Sequence, residues 1–197
     1  NYCGAERIFS KNGNLRKNMV VSVDDYKDLF DQTHKKEHNP QALPLSLKEA
    51  IRGFILARII RYSRGDQTKH CSMMINVSRF NDVQDKVEGL TYEYLEKLKN
   101  SIQMNAHKEQ PSDKDFIDLI NTHKKLYNHI EEDWNSITKS MWPAVKTIVV
   151  SVVNGKKSGN LDYEGQKENG LHVIAIGGLA LSRGLTLEGL CSTYILR

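Results

Sequence analysis

The segment from Leu171 to Leu190 constrains this chain more than any other. It opens with Leu171-His172-Val173-Ile174-Ala175-Ile176, continues through the pair Gly177-Gly178 and the turn Leu181-Ser182-Arg183-Gly184, and leads to Ser192-Thr193-Tyr194-Ile195-Leu196-Arg197. A strand with no polar alternation has no wet face, so it belongs in a parallel sheet covered on both sides. In open α/β sheets, ligands sit beyond the carboxyl ends of the strands. Glycines there let backbone amides approach a phosphate with no Cβ in the way. Ser182 adds a hydroxyl, and Arg183 a planar cation matched to phosphate oxygens. By shape alone the same segment is a tight turn whose arginine pairs with a surface carboxylate.

The rest of the chain supplies the other elements of such a sheet. Ser46 with Glu49 forms a capping box for a helix running to about Tyr62. Its apolar residues cover most of its circumference, which predicts burial on more than one side. Arg52, Arg58, Arg61 and Arg64 lie at its polar margin and exit, where solvation is the ordinary state and phosphate contact the alternative. Cys71 to Val77 reads as a covered parallel strand. Ser78 or Asn81 caps the next helix, with Val83, Val87, Leu90, Tyr94 and Leu98 on one side. After a polar break from Asn105 to Pro111, the spacing predicts one long helix from about Asp113 to Ser140, ended by Trp142-Pro143. Strands follow at Thr147 to Val153 and Leu171 to Ile176. This order predicts an α/β domain with a mostly parallel sheet over residues 46–197, carrying a helical insertion at about 105–143. Residues 1–45 read as an N-terminal extension and linker. Within them, Val20 to Val23 is a short β-branched run, and Asp24 caps a helix from Asp25 to Gln32.

Charge and composition narrow the function only slightly. The formal net charge of +4 permits a nucleic-acid partner without demanding one. Cys3, Cys71 and Cys191 form no CxxC pair, which argues against a zinc ribbon and fits a reducing cytoplasm. No run approaches the roughly 18 apolar residues of a membrane span. The chain starts at Asn1 and stops within a strand-like run, so it reads as a fragment truncated at its C-terminal end.

Ile176-Gly177-Gly178-Leu179-Ala180-Leu181-Ser182-Arg183-Gly184-Leu185-Thr186-Leu187-Glu188-Gly189-Leu190 closely resembles the signature of the Z1 domain family. His70 to Gln84 and the terminal run from Ser192 are further matches, and together they span about residues 46–197. That family occurs with superfamily-two helicase ATPase cores in bacterial and phage proteins, many of them named as endonucleases of restriction systems. The resemblance therefore implies a RecA-like, helicase C-terminal-type, three-layer fold. It implies ATP and magnesium as cofactors of the longer protein and DNA as a partner. A missing N-terminal RecA-like ATPase domain is implied as a second partner.

The same segment resembles helicase motif five, and Ser72 to Val77 with Ser78-Arg79 resembles motif four. Carried over, Ser78, Arg79, Gly178, Ser182 and Arg183 would contact the nucleic-acid backbone. Gly184, Thr186 and Glu188 would border the ATP cleft. Gly178 replaces the family threonine and Thr186 the usual aspartate, so the ribose contact is the weaker expectation. These losses also allow a second reading, a degenerate RecA-like module that docks a nuclease or methyltransferase partner, with the long helix as its docking surface.

Other motifs carry less. Gly155-Lys156-Lys157-Ser158 fails the Walker pattern, because position 150 is valine and no Ser or Thr follows the first lysine. His34 and His38 have zinc-peptidase spacing in a lysine-rich segment without apolar backing, which reads as a solvated loop. Asp25 and Lys27 resemble the acid-x-Lys arm of a magnesium nuclease, with Glu6 the nearest candidate for a second acid. His70 and Cys71 are strand neighbours pointing to opposite faces, so they form no dyad. Trp134 and Trp142 read as core rather than as base-stacking platforms.

Overall fold

The structure, a computed structural model, describes residues 10, 19–27, 29–31, 33–154, 161–178, 181 and 186–196. Its elements are α1 (Leu45–Ser63), β1 (Cys71–Asn76), α2 (Asn81–Asn105), α3 (Lys114–Leu126), α4 (Trp134–Val145), β2 (Val149–Val153), β3 (His172–Gly177) and β4 (Leu190–Ile195). The four strands form one sheet in the order β2-β3-β1-β4, and every pairing is parallel. The expected α/β class and parallel sheet are present.

Strand composition explains the order. β3 is buried along its whole length and sits inside, next to β1, whereas β2 and β4 are half-exposed edges. On one face Met73, Ile75, Val152, Ile174, Ile176 and Tyr194 join a single core with residues of all four helices. On the other, Met74, Val153 and Ala175 meet Leu161, Leu181 and Leu187. The chain leaves β1, passes through α2, α3 and α4, and reaches β2 by stepping over β3. It then returns to β3 and steps over β1 to β4. Crossovers between parallel strands are right-handed, so reversing direction moves the connection to the opposite face. Leu161 and Tyr163, between β2 and β3, and Leu181 and Leu187, between β3 and β4, lie where that rule puts them.

The expected third layer of helices is not among the described residues: α1 to α4 share one face, and loop residues cover the other. α1 is the central helix, with Leu47, Ile51, Phe54, Ile55, Leu56, Ile59 and Ile60 all buried. It packs on α4, α3 and β4, in keeping with the nearly continuous apolar surface of its sequence.

Three boundaries differ from the sequence expectation. The long helix is two helices, each with its own aspartate cap. Asp113 accepts a hydrogen bond from Phe116 N at 3.0 Å, and Asp133 one from Ser136 N at 3.0 Å. Pro143 lies inside α4, which continues to Val145. Ser46 does not cap α1, whose N-cap is Pro44; the cap arrives from a distant segment. Asp25 accepts from Ser46 N at 2.8 Å and from Ser46 Oγ at 2.5 Å, and the Tyr194 hydroxyl lies 2.8 Å from the same Oγ. Burial raises the Asp25 carboxyl, but these Ser46 hydrogen bonds outweigh it and hold the group below the usual carboxylate range.

Some described residues before α1 pack against the domain. Phe30 and Leu43 belong to the main core. Val20 to Val23 form no strand, and the stretch expected as a helix from Asp25 forms turns in its described residues.

Candidate functional site

The connection leaving β1 goes to the helical face, and the one leaving β3 goes to the other. β1 and β3 are neighbours, so their carboxyl ends border a crevice at the point where the topology reverses, the usual ligand position in open α/β sheets. Ser78 and Arg79 follow β1 at this crevice, and Gly178 follows β3. A Cβ on Gly178 would lie 2.8 Å from Gln84 Nε2, 3.2 Å from Ser78 O and 3.5 Å from Arg79 Cα. Residues a hundred positions apart are thus in contact through a site where only glycine fits. Asn76 Nδ2 reaches toward Gly178 O at 3.5 Å.

Arg79 is exposed, with its guanidinium 4.8 Å from the centre of the Phe80 ring. Phe80 is the N-cap of α2, and no side chain caps that helix. Val83 N and Gln84 N turn back to the Phe80 carbonyl, and a helix start is a place where phosphate is attracted. The expected caps, Ser78 and Asn81, do not act as such. Ser78 Oγ instead accepts from Phe80 N at 3.1 Å, a short turn ahead of the helix.

Ser78 is only 5 % exposed. His34 Nε2 lies 2.8 Å from Ser78 Oγ, while His34 Nδ1 lies 2.5 Å from the Asp31 carbonyl. A carbonyl only accepts, so Nδ1 carries a proton, and Nε2 is joined to the serine hydroxyl. His38 Nε2 bonds Leu29 O at 2.7 Å, and the two imidazole centres stand 5.1 Å apart beside Phe30 and Phe80. The pair expected as a solvated loop is half-buried and pins the N-terminal segment over the end of β1.

Gln84, which the sequence reading missed, occupies the crevice floor. It is 1 % exposed, and its Nε2 donates to Ser78 O at 2.9 Å. One helical turn past the N-cap, a glutamine reads as ordinary surface, and no sequence signal marked it.

Ser182, Arg183 and Gly184 lie outside the described residues, as do Gly155 to Ser158 and Glu6. Thr186 is exposed. Glu188 lies at the opposite end of the sheet, just before β4, with its carboxylate 3.8 Å from His70 Nε2 and its carbonyl accepting from Ser72 Oγ at 2.7 Å. The next residue, Gly189, has φ of 63°, and a Cβ there would stand 2.0 Å from His70 O. A six-residue strand is about 16 Å long, so the structure does not bring Glu188 to Gly178.

The remaining candidates serve the fold. Arg52 donates to Thr122 Oγ1 and the Tyr94 hydroxyl, Arg58 to the carbonyls of Asp66 and Gln67, Arg61 to Asp66 and His70 O, and Arg64 to both oxygens of Glu132. They form no row of free cations. Asp25 is engaged at the start of α1. Trp134 is half-buried against His123, their rings 4.9 Å apart, and Trp142 is exposed.

Among the described residues no helix is long and apolar enough to cross a membrane. No curated protein and no solved structure matches the chain. Residues 46–197, from the start of α1 through the glycine pair and β4, match the model of the Z1 domain. The chain belongs to the Z1 domain family.

Proposed function

We propose that this chain is the second RecA-like half of a helicase-type, ATP-dependent DNA-processing protein, and that a nucleic-acid backbone runs past the β1/β3 crevice. The observation that carries this reading is the contact of Gly178 with Ser78 and Arg79 at the topological reversal. There the exposed Arg79 guanidinium and the start of α2 stand beside the buried contact of Gly178 with Ser78, and a cation next to a helix start is suited to phosphodiester oxygens. Arg79 supplies charge and α2 the N–H donors. Arg183 and Ser182 belong to the same proposal from the sequence side.

ATP and magnesium belong in this reading to the longer protein, gripped mainly by its first RecA-like domain. Thr186 and Glu188 are both exposed, and Glu188 lies beside His70 near the amino end of β4, away from the crevice. The proposal therefore rests on the crevice and not on Glu188.

One observation favours the rival reading of a protein-docking module. The Ser78 hydroxyl is committed to His34, and Gln84 fills the floor beside Gly178. The two readings separate on salt dependence. Binding of a labelled DNA strand to this chain is expected to be weak, to fall steeply with salt, and to occur without ATP turnover. Arg79→Ala should weaken it and lower the slope of log K against log salt by about 1, the loss of one phosphate contact. An unchanged affinity and slope for both Arg79→Ala and Arg183→Ala would refute the nucleic-acid interface and leave the docking module.

A further inference from the structure

Away from the crevice, near the amino ends of β1 and β4, two cysteines meet. Cys71 Sγ and Cys191 Sγ are 3.5 Å apart, although the residues are 120 positions apart in sequence. Strict alternation would turn Cys191 away from Cys71. The register between β1 and β4 shifts between Ser72 and Met73, which pair with Leu190 and Ser192. Cys191 is the extra residue of this bulge, and the bulge turns its side chain to the helical face.

The surroundings favour a thiolate. Arg58 and Arg61 of α1 act on Cys71, and Tyr127, just after α3, lies within electrostatic reach of both sulfurs. The hydrogen bond from Cys191 holds the Cys71 thiol below its ordinary range, with Arg61 and Arg58 reinforcing it against burial. Cys71 is fully buried, but Cys191 is exposed, so small molecules reach the pair from the β4 edge. Arg61 and Tyr127 also line a cleft of about 480 Å³ with Ile60, Arg64, Ile130 and Glu132.

The geometry points to Cys71 and Cys191 as a dithiol that a peroxide oxidises to a reversible disulfide, tying β1 to β4. The Cys71 thiolate attacks one peroxide oxygen and the O–O bond breaks. The departing hydroxide takes the Cys191 proton, which gives water, a sulfenic acid at Cys71 and a thiolate at Cys191. That thiolate attacks the sulfenic sulfur, forms the S–S bond and expels hydroxide, which takes a solvent proton. In sum, two thiols and one hydrogen peroxide give one disulfide and two waters, a two-electron oxidation. The bond would anchor the start of β4, the strand that follows Ser182 and Arg183 in the chain. This inference is independent of the DNA reading.

The test uses the chain with Cys3→Ser, which leaves only this pair. After hydrogen peroxide treatment, unfolding and alkylation, both thiols should be blocked, a Cys71–Cys191 linked peptide should appear, and dithiothreitol should restore both. In a Cys191→Ser chain the sulfenic acid at Cys71 should persist and be trapped by dimedone. Arg61→Gln should slow closure at pH 7 and shift its rate-against-pH profile to higher pH. Full alkylation after peroxide, sulfinic or sulfonic products without a link, or disulfides between two chains would overturn the proposal. An Arg61→Gln chain with an unchanged rate-against-pH profile would overturn the part given to the arginine.

Discussion

Replacing Gly178 with alanine tests the crevice most directly. The new methyl would sit 2.8 Å from Gln84 Nε2 and 3.2 Å from Ser78 O. The glutamine is the softer neighbour, but it is buried and its amide holds Ser78 O at 2.9 Å. Pushing it aside breaks that bond, worth about 1 kcal/mol, and overpacks a closed site at about 1–3 kcal/mol. Gly178→Ala is therefore expected to destabilise the chain by about 2–4 kcal/mol, read as a lower urea midpoint with an unchanged slope. Gln84→Ala alone should lose about 1–2 kcal/mol by leaving the Ser78 carbonyl unpaired. The double variant decides the matter, because removing the glutamine makes room for the methyl. Its loss should fall short of the sum by at least about 1 kcal/mol. Additivity within about 0.5 kcal/mol, or a Gly178→Ala chain as stable as the parent, would refute the close approach on which the candidate site is built.

His172 should make the fold sensitive to mild acid. Burial, with Arg58 beside it, depresses its pKa from 6.5 to about 4, and its Nδ1 lies 2.9 Å from Thr147 Oγ1. A depressed folded-state pKa contributes stability above the unfolded value and loses it as pH falls from 6.5 toward 4. At about 1.4 kcal/mol per pH unit, the full loss is about 3 kcal/mol, and a His172→Asn chain whose urea midpoint has the same pH slope would count against it. Asp25→Ala should cost about 1 kcal/mol by uncapping α1, and should also free the Ser46 hydroxyl. Thermal or urea unfolding reads this directly, and an unchanged midpoint means that the N-terminal segment does not cap the helix.

What could be read in the sequence follows the range of the interactions involved. β3 was visible because the unbroken apolar run Val173 to Ile176, closed by glycines, has one sheltered environment available, the inside of a parallel sheet. α1 was visible for a similar reason, since an apolar surface on nearly every side leaves only a central position. The break between α3 and α4 was missed because Tyr127, Ile130 and Trp134 continue the helical spacing, and a periodicity count does not see the turn between them. Asp133 was the available signal, since a capping residue directly before Trp134 marks a start. The Ser46 expectation failed for the opposite reason. The local capping box is present in the sequence, but Asp25 satisfies the helix end from 21 residues away. Long-range satisfaction of this kind leaves no local pattern.

The crevice shows the same division. Gly178 and Arg79 were singled out in advance from family-like motifs, yet their contact depends on β1 and β3 being neighbours, and the order β2-β3-β1-β4 is not written in either motif. The partners of Ser78 were invisible for a related reason, and they change which atoms a ligand could meet. Its Oγ accepts from Phe80 N and lies 2.8 Å from His34 Nε2, so it is already engaged on two sides. A phosphate at this opening would therefore be met by main-chain N–H groups of α2 and by Arg79, with the hydroxyl beneath holding the turn in place. Under the proposed reading, such a contact would be to the sequence-independent backbone, with no part for base recognition. Groups of this kind position a nucleic acid without reading it.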